Sequence, residues 1–128
     1  MNGHPCMIPC SEIILRPKQF CNLSEIVIRP YDTVSTLKRK DRMAAILGTV
    51  QSACTKFTYL DPDWKNNCEE ERLLGVSFTG IYDNLLTSTN SNTLSVFLQE
   101  TKEQTHEINR EWADILDIST SKSITCCK

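Results

Sequence analysis

Two thiols and a carboxylate lie close together near the start of this chain. Cys10 and Glu12 are two residues apart in Pro9-Cys10-Ser11-Glu12, and Cys21 follows eleven positions after Cys10. In an extended segment residues i and i+2 point to the same face, so Cys10 and Glu12 can approach one substrate from the same side. Cys21 joins them if the intervening residues turn back. A thiol, a carboxylate and a second thiol are the groups that a redox reaction at a carbon centre requires.

The segment resembles the active site of ribonucleotide reductase large subunits, whose usual form is Asn-Pro-Cys-x-Glu on a loop inside an α/β barrel. The short spacing from Cys10 to Cys21 is similar to that of the monomeric, adenosylcobalamin-dependent (class II) triphosphate reductases. Other segments resemble the same family, in order, along almost the whole chain: Cys21-Asn22-Leu23-Ser24-Glu25, Leu37-Lys38-Arg39-Lys40, Ile46-Leu47-Gly48-Thr49, residues 69–77 and Ile124-Thr125-Cys126.

The resemblance implies a role for each of the three side chains. Cys10 would carry a thiyl radical that takes a hydrogen atom from C3′ of the ribose, with adenosylcobalamin as the cofactor that supplies the radical. Glu12 would act as general base on the 3′-hydroxyl and so assist loss of water from C2′. Cys21 would be one of two thiols that deliver reducing equivalents and end as a disulfide, which a thioredoxin-like protein then reduces. The substrate would be a ribonucleoside triphosphate or diphosphate.

The rest of the chain predicts an α/β fold in which strands alternate with long helices around a largely parallel sheet. Residues 13–15 and 26–28 are short β-branched runs that predict buried strands, and residues 73–78 and 123–126 predict two more. Asp61-Pro62-Asp63 predicts a turn, and residues 87–92 predict a polar loop.

Two long helices are expected between these strands. Asp32 is the predicted N-cap of the first helix, and Asn92 or Thr93 caps the second. Residues at helical spacing predict the buried stripe of each helix. In the first helix the stripe is Met43, Ile46, Leu47, Val50, Cys54 and Phe57; in the second it is Leu94, Phe97, Leu98, Thr101, Ile108, Trp112 and Ile115.

Residues 1–128 are interpreted as one part of a reductase barrel, because two helices and a few short strands cannot cover both faces of a parallel sheet. By resemblance the fold is a partial sector of a ten-stranded α/β barrel with the active-site finger loop near the N-terminus. Ile8 stands where the family has Asn, and Cys127 stands where the family continues into a phosphate-binding Val-Lys-Pro-Ser-Gly-Thr loop. We expect an internal segment, truncated at both ends, that is inactive without the missing upstream and downstream segments.

Composition argues against several other classes of protein. The chain has 14 Lys and Arg against 16 Asp and Glu, so it lacks the basic surface typical of proteins that bind nucleic acid or anionic membranes. No apolar run reaches the roughly 20 residues of a membrane span, and the N-terminus lacks the features of a signal peptide. We therefore expect a cytoplasmic protein. Seven cysteines without a secretory signal do not favour a disulfide scaffold, and the spacing of Cys6 and Cys10 is a weak zinc signal.

Two alternatives remain beside the class II interpretation. One is a non-catalytic remnant, split-gene fragment or interaction protein derived from such an enzyme. The other is a class I-type reductase piece whose radical comes from a partner subunit, although the spacing from Cys10 to Cys21 argues against it. Among the remaining candidates, Cys54 is predicted to be core, Cys68 to lie on the surface or at a helix start, and His106 to be solvated.

Overall fold

The chain forms a small parallel sheet with long helices on one face, in a computed structural model that describes residues 6–7, 14–89 and 92–125. The parallel sheet has the strand order β3-β4-β5, and the strands are β3 (Asn22–Val27), β4 (Leu74–Thr79) and β5 (Ile124–Thr125). Leu23, Gly75 and Thr125 stand side by side in its register. A separate antiparallel pair is formed by β1 (Cys6–Met7) and β2 (Ile14–Leu15).

The helices connect these strands as parallel pairing requires. They are α1 (Val34–Ala53), α2 (Pro62–Glu71), the short α3 (Leu85–Ser88) and α4 (Asn92–Leu116), with a 3₁₀ turn at Ile81–Asp83. Helices α1 and α2 lie between β3 and β4, and α3 and α4 lie between β4 and β5. The predicted α/β class and the parallel sheet are confirmed. None of the helices in the described part of the chain is both long and apolar enough to span a bilayer.

The core lies between the sheet and the two long helices. Even-numbered positions of β3 and β4 point towards α1 and α4, since side chains alternate along a strand. The buried residues of this cluster are Ile26, Ile28, Leu37, Ala44, Val76, Phe78 and Phe97. Each large apolar side chain buried here contributes roughly 1.5–3 kcal/mol, which fixes the sheet against α1.

Helix α1 is correctly predicted, but its predicted buried stripe is wrong. Met43 and Leu47 are 58% and 60% exposed, and Val50 is 37% exposed. The helix buries instead a face of mostly small or polar residues: Leu37, Asp41, Ala44, Ala45, Gly48, Thr49 and Ser52. Small side chains let α1 approach both the sheet and α4; a Cβ at Gly48 would lie 3.5 Å from Leu74 Cδ2. The large apolar residues consequently lie along the side of α1 beside β3.

The N-cap of α1 is Thr33 and not the predicted Asp32. Thr33 and Thr36 form a reciprocal capping box, in which each side-chain oxygen accepts from the other residue's backbone N–H. Asp32 instead binds the Lys40 ammonium at 2.5 Å and accepts from the Arg29 backbone N–H at 2.8 Å. The Lys40 hydrogen bond is the main reason why the pKa of Asp32 lies below its usual range. Asp32 thus stabilises the loop that leads into the helix.

The predicted turn at residues 61–63 is the start of helix α2. Asp61 Oδ1 accepts from the Asp63 backbone N–H at 2.9 Å, and Pro62 occupies the first helical turn, where its missing N–H costs nothing. Cys68 lies inside this helix and is buried, so its predicted surface position is wrong. Cys54, predicted to be core, follows the last residue of α1 and is exposed.

Two further predictions are only partly right. Ile14 and Leu15 of the predicted buried strand 13–15 form β2, but Ile14 is 65% exposed and β2 pairs with β1 outside the parallel sheet. In α4 the predicted residues Phe97, Thr101 and Ile108 are buried, whereas Leu98 and Ile115 are 47% and 63% exposed. The polar residues Thr105 and Asn109 take their place because α4 packs against the polar face of α1.

Candidate functional site

Of the three predicted site residues, only Cys21 falls in the described part of the chain. Cys10 and Glu12 lie outside the described residues, as do Ile8 and Cys127. Cys21 is half-buried and stands immediately before β3. Cys21 is therefore the one predicted site residue whose surroundings the structure describes.

Cys21 lies on the face of the sheet opposite α1 and α4, which we call the open face. Leu74 and Ser24 face α1, because Leu74 Cδ2 and Ser24 Oγ are the atoms nearest to a Cβ built on Gly48. The alternation of side chains then directs odd-numbered positions, including Cys21 and Leu23, to the open face. Leu23 is 49% exposed there.

Gly75 allows the side chains of neighbouring strands to meet above β4. A Cβ at this position would lie 2.5 Å from Leu23 Cδ2, 3.5 Å from Thr125 Oγ1 and 3.9 Å from Cys21 Sγ. The Leu23 side chain therefore extends across β4 into the space that a side chain at position 75 would fill if the residue there were not glycine. Three groups therefore meet at this point of the open face: the Cys21 thiol, the Thr125 hydroxyl and the backbone of Gly75, which carries no side chain.

The Thr125 hydroxyl in this group is buried, and no hydrogen-bond partner for it occurs among the described residues. Leaving a buried hydroxyl unsatisfied costs about 1–3 kcal/mol. Its oxygen lies on the same side of the sheet as the Cys21 thiol, at the position that Gly75 keeps open.

Three cysteines line a cavity of about 350 Å³ at the amino-terminal end of β3. The lining residues are Phe20, Cys21, Asn22, Gln51, Ser52, Cys54, Thr55, Phe57 and Cys68. Cys68 is buried and its Sγ accepts from the Phe20 backbone N–H at 3.3 Å. Cys54 is exposed, and neither Cys54 nor Cys68 is in a disulfide. The cavity thus places Cys54 and Cys68 at the same end of β3 as Cys21, whereas sequence analysis predicted Cys54 in the core and Cys68 on the surface or at a helix start.

A buried carboxyl group that sequence analysis missed lies between α1 and α4. Asp41 is fully buried, and burial raises its pKa to about 6, although hydrogen bonds from Thr105 and Gln104 oppose the rise. The burial of Asp41 could have been predicted from its spacing. It follows Leu37 by four residues and precedes Ala45 by four, so the three lie on one face of the helix. Asp41 is on the helix side of the sheet and does not reach the open face.

The residues around Cys21 do not form a recognisable cofactor or metal site. Leu23, Gly75 and Thr125 include no charged or imidazole side chain that could bind the cobalt or the phosphate of adenosylcobalamin. Among residues 6–7, 14–89 and 92–125, no group of three or more His, Cys, Asp or Glu side chains is placed to hold a metal ion. His106 is exposed on α4. We therefore assign no described residue to cofactor binding.

Comparison with known proteins adds no family to these observations. A scan against models of protein families, a search of curated proteins and a search of solved structures each found no match to this chain.

Proposed function

We propose that this chain is part of a radical ribonucleotide reductase, which converts ribonucleotides to 2′-deoxyribonucleotides. The proposal starts from the resemblance of Cys10, Glu12 and Cys21 to the reductase active site. One structural observation supports it: Cys21 lies at the open face of a parallel sheet, beside Gly75 and the hydroxyl of Thr125, which has no hydrogen-bond partner among the described residues. Parallel sheets are ordinarily covered on both faces. In the proposed enzyme the sheet is a sector of a ten-stranded α/β barrel, and the open face is its interior.

The proposed reaction consumes two thiols for each nucleotide. The C2′–O bond breaks and the oxygen leaves as water, a C2′–H bond forms, and the two thiols are oxidised to one disulfide. Cys21 is one of these thiols. Cys10 takes the C3′ hydrogen and later returns it, and Glu12 removes the 3′-hydroxyl proton. The resemblance makes adenosylcobalamin the radical source of the complete enzyme, and the described residues around Cys21 offer it no ligand.

The partner thiol of Cys21 belongs, by resemblance, to an upstream segment of the complete reductase. Cys54 and Cys68 line the same cavity as Cys21, yet the family pattern assigns a role to neither. A thioredoxin-like dithiol then restores the pair by thiol–disulfide exchange. Cys54 is the natural control for Cys21, because it is an exposed thiol nearby with no place in the proposed chemistry.

A non-catalytic remnant or interaction fragment of such an enzyme is the second candidate, and Ile8 favours it. The family uses an Asn at this position to hold substrate hydroxyl groups, whereas an Ile side chain neither donates nor accepts hydrogen bonds. A class I-type piece with a partner radical subunit is the third candidate. The short spacing from Cys10 to Cys21 argues against it.

A reduction assay separates these candidates. The chain is combined with the products of the reading frames that flank its gene, and with adenosylcobalamin, a ribonucleoside triphosphate and a dithiol. The proposal expects deoxynucleotide formation that is abolished by Cys10→Ser or Glu12→Gln and unchanged by Cys54→Ser. Reduction that needs a metal-containing partner subunit and not adenosylcobalamin would favour the class I reading. Failure of every combination would favour the remnant.

A further inference from the structure

The outer edge of β3 has backbone groups that pair with no other strand in the described part of the chain. Within the described residues β3 pairs only with β4. The Asn22 N–H donates to Leu73 O at 2.8 Å and the Ile28 N–H donates to Thr79 O at 2.9 Å. Even-numbered residues therefore direct their backbone groups to β4, and the backbone groups of Leu23, Glu25 and Val27 point outward.

One of these outward groups already has a partner, which confirms their direction. The Lys40 ammonium, reaching from α1, donates to Val27 O at 2.8 Å. The outward backbone groups of Leu23 and Glu25 have no counterpart in the described part of the chain. Unpaired N–H and C=O groups along a strand edge are a template for an added strand.

An apolar wall runs beside this edge. Met43, Leu47 and Val50 lie at helical spacing on α1 and are 58%, 60% and 37% exposed. Together with β3 they line a groove of about 1120 Å³, which we call the edge groove. The groove thus offers backbone hydrogen bonds on one side and large apolar side chains on the other, which is what an extended peptide with alternating apolar residues requires.

The end of the edge groove near the carboxyl end of β3 is basic. Arg29 and Arg39 both line the groove, and neither guanidinium has an ion-pair or hydrogen-bond partner among the described residues. Lys40, by contrast, is neutralised by Asp32 at 2.5 Å. Two unpaired guanidinium groups select for carboxylates, which they bind in bidentate geometry.

We propose that the edge groove is the docking site for an extended strand of a partner polypeptide. The strand pairs with the outward backbone groups of Leu23 and Glu25, parallel to β3 like the rest of the sheet. Apolar side chains at alternate positions pack on Met43 and Leu47, and acidic residues at the carboxyl end of the strand bind Arg29 and Arg39. A second copy of this chain is a poorer occupant, because it would bring the same unpaired arginines. In the barrel proposed above, a neighbouring barrel strand takes this same edge; the docking proposal is therefore tested by peptide binding to the chain on its own, and not by the reaction.

Selection from a displayed library of random twelve-residue peptides tests this proposal with the intact chain. We expect enriched peptides to alternate apolar residues and to end in Asp or Glu. A synthetic peptide of the enriched sequence is then titrated by fluorescence anisotropy. Arg39→Glu is expected to weaken binding by about tenfold or more, since it replaces an attraction by a repulsion. Arg110→Glu, an exposed arginine on α4, is the matched control and should change affinity less than about twofold.

Two further variants separate docking from folding. Glu25→Pro removes an outward N–H and leaves the ladder to β4 intact, as proline on an edge strand does, and should abolish binding. Met43→Lys changes only an exposed side chain of the wall and should weaken binding in a chain with an unaltered thermal melt. A library that yields no binder, or binders unaffected by these variants, would overturn the proposal. So would a stable dimer of the free chain that Glu25→Pro dissociates, because the occupant would then be a second copy.

Discussion

At the scale of single residues, Asp41 has the most unusual environment in the described part of the chain. Its two carboxyl oxygens lie 3.0 Å from Thr105 Oγ1 and 3.0 Å from Gln104 Nε2. The Thr105 hydroxyl is also 2.9 Å from Thr101 O, and its single proton cannot serve both acceptors. The hydrogen bonds from Thr105 and Gln104 therefore only partly offset the burial of the carboxyl group, and the pKa of Asp41 is raised to about 6.

This pKa predicts a fall in stability as the pH rises. Because the folded-state pKa of Asp41 is raised from 3.8 to about 6, the folded chain binds more protons than the unfolded chain between these values. The stabilisation is complete below pH 3.8 and is lost as the pH rises through 6. Between pH 5 and pH 7.5 the free energy of unfolding should fall by about 1 kcal/mol on account of this group.

Urea unfolding of the parent chain and of Asp41→Asn at these two pH values measures the effect. The Asn variant should lose this part of the pH dependence, and Asp114→Asn, an exposed carboxyl on α4, should keep it. Carboxylates whose pKa is lowered by folding do not interfere, because they affect stability only near and below their unfolded pKa of about 4. An identical slope for parent and Asp41→Asn would contradict the assignment.

Gly75 supports a second prediction at the residue scale. Gly75→Ala places a Cβ 2.5 Å from Leu23 Cδ2, so the leucine side chain must leave the open face or the strands must shift. We expect the substitution to destabilise the chain by about 1 kcal/mol. The cost should largely disappear in a Leu23→Ala background, and chemical unfolding of the four variants in a double-mutant cycle measures this coupling. Strictly additive effects would show that the two positions do not compete for space.

At the scale of elements, α1 shows what sequence patterns predict and what they miss. Its length follows from residues at helical spacing, and its existence was predicted correctly. Its buried face does not follow from the pattern, because the most apolar stripe of the helix is not the stripe that packs in the core. The helix packs against both the sheet and α4, and small residues such as Ala45 and Gly48 permit that double contact. Met43 and Leu47 are consequently left beside the edge of β3.

Arg72 links the end of α2 to α1 and to the segment before β5. It ends α2 in the left-handed region with φ 45°, and its Nη1 donates to Ser52 O in the last turn of α1 at 2.5 Å. Its Nε donates to Ser119 Oγ before β5 at 3.2 Å. Arg72→Ala and Arg72→Gly both lose these bonds, so both should lower the free energy of unfolding by roughly 2 kcal/mol or more.

The two Arg72 variants should nevertheless differ. Glycine adopts positive φ without the steric cost that alanine incurs, so Arg72→Gly should be more stable than Arg72→Ala by about 1 kcal/mol. Urea denaturation of both variants measures the difference. If alanine were the more stable of the two, the left-handed conformation at the end of α2 would not be the source of strain.

At the scale of the whole molecule, the alternation of strands and helices was sufficient to predict a parallel α/β arrangement. The convergence on the open face was not predictable from the pattern. Cys21, Gly75 and Thr125 are separated by about fifty residues each in the chain, and only the register of β3, β4 and β5 brings them together. The ten-stranded barrel comes from the resemblance alone. It remains a prediction, as does the catalytic role of Cys10 and Glu12.

The most direct test of the proposed function is the oxidation state of Cys21 after one turnover. The prereduced chain, assembled with the products of its flanking reading frames and adenosylcobalamin, is given a ribonucleoside triphosphate without external dithiol, then alkylated and mapped by mass spectrometry. The proposal predicts that Cys21 enters a disulfide in proportion to the deoxynucleotide formed, while Cys54 and Cys68 are alkylated after denaturation as fully as before turnover. Deoxynucleotide formation with Cys21 still fully alkylated would contradict the proposal, and so would an assembly that forms no deoxynucleotide.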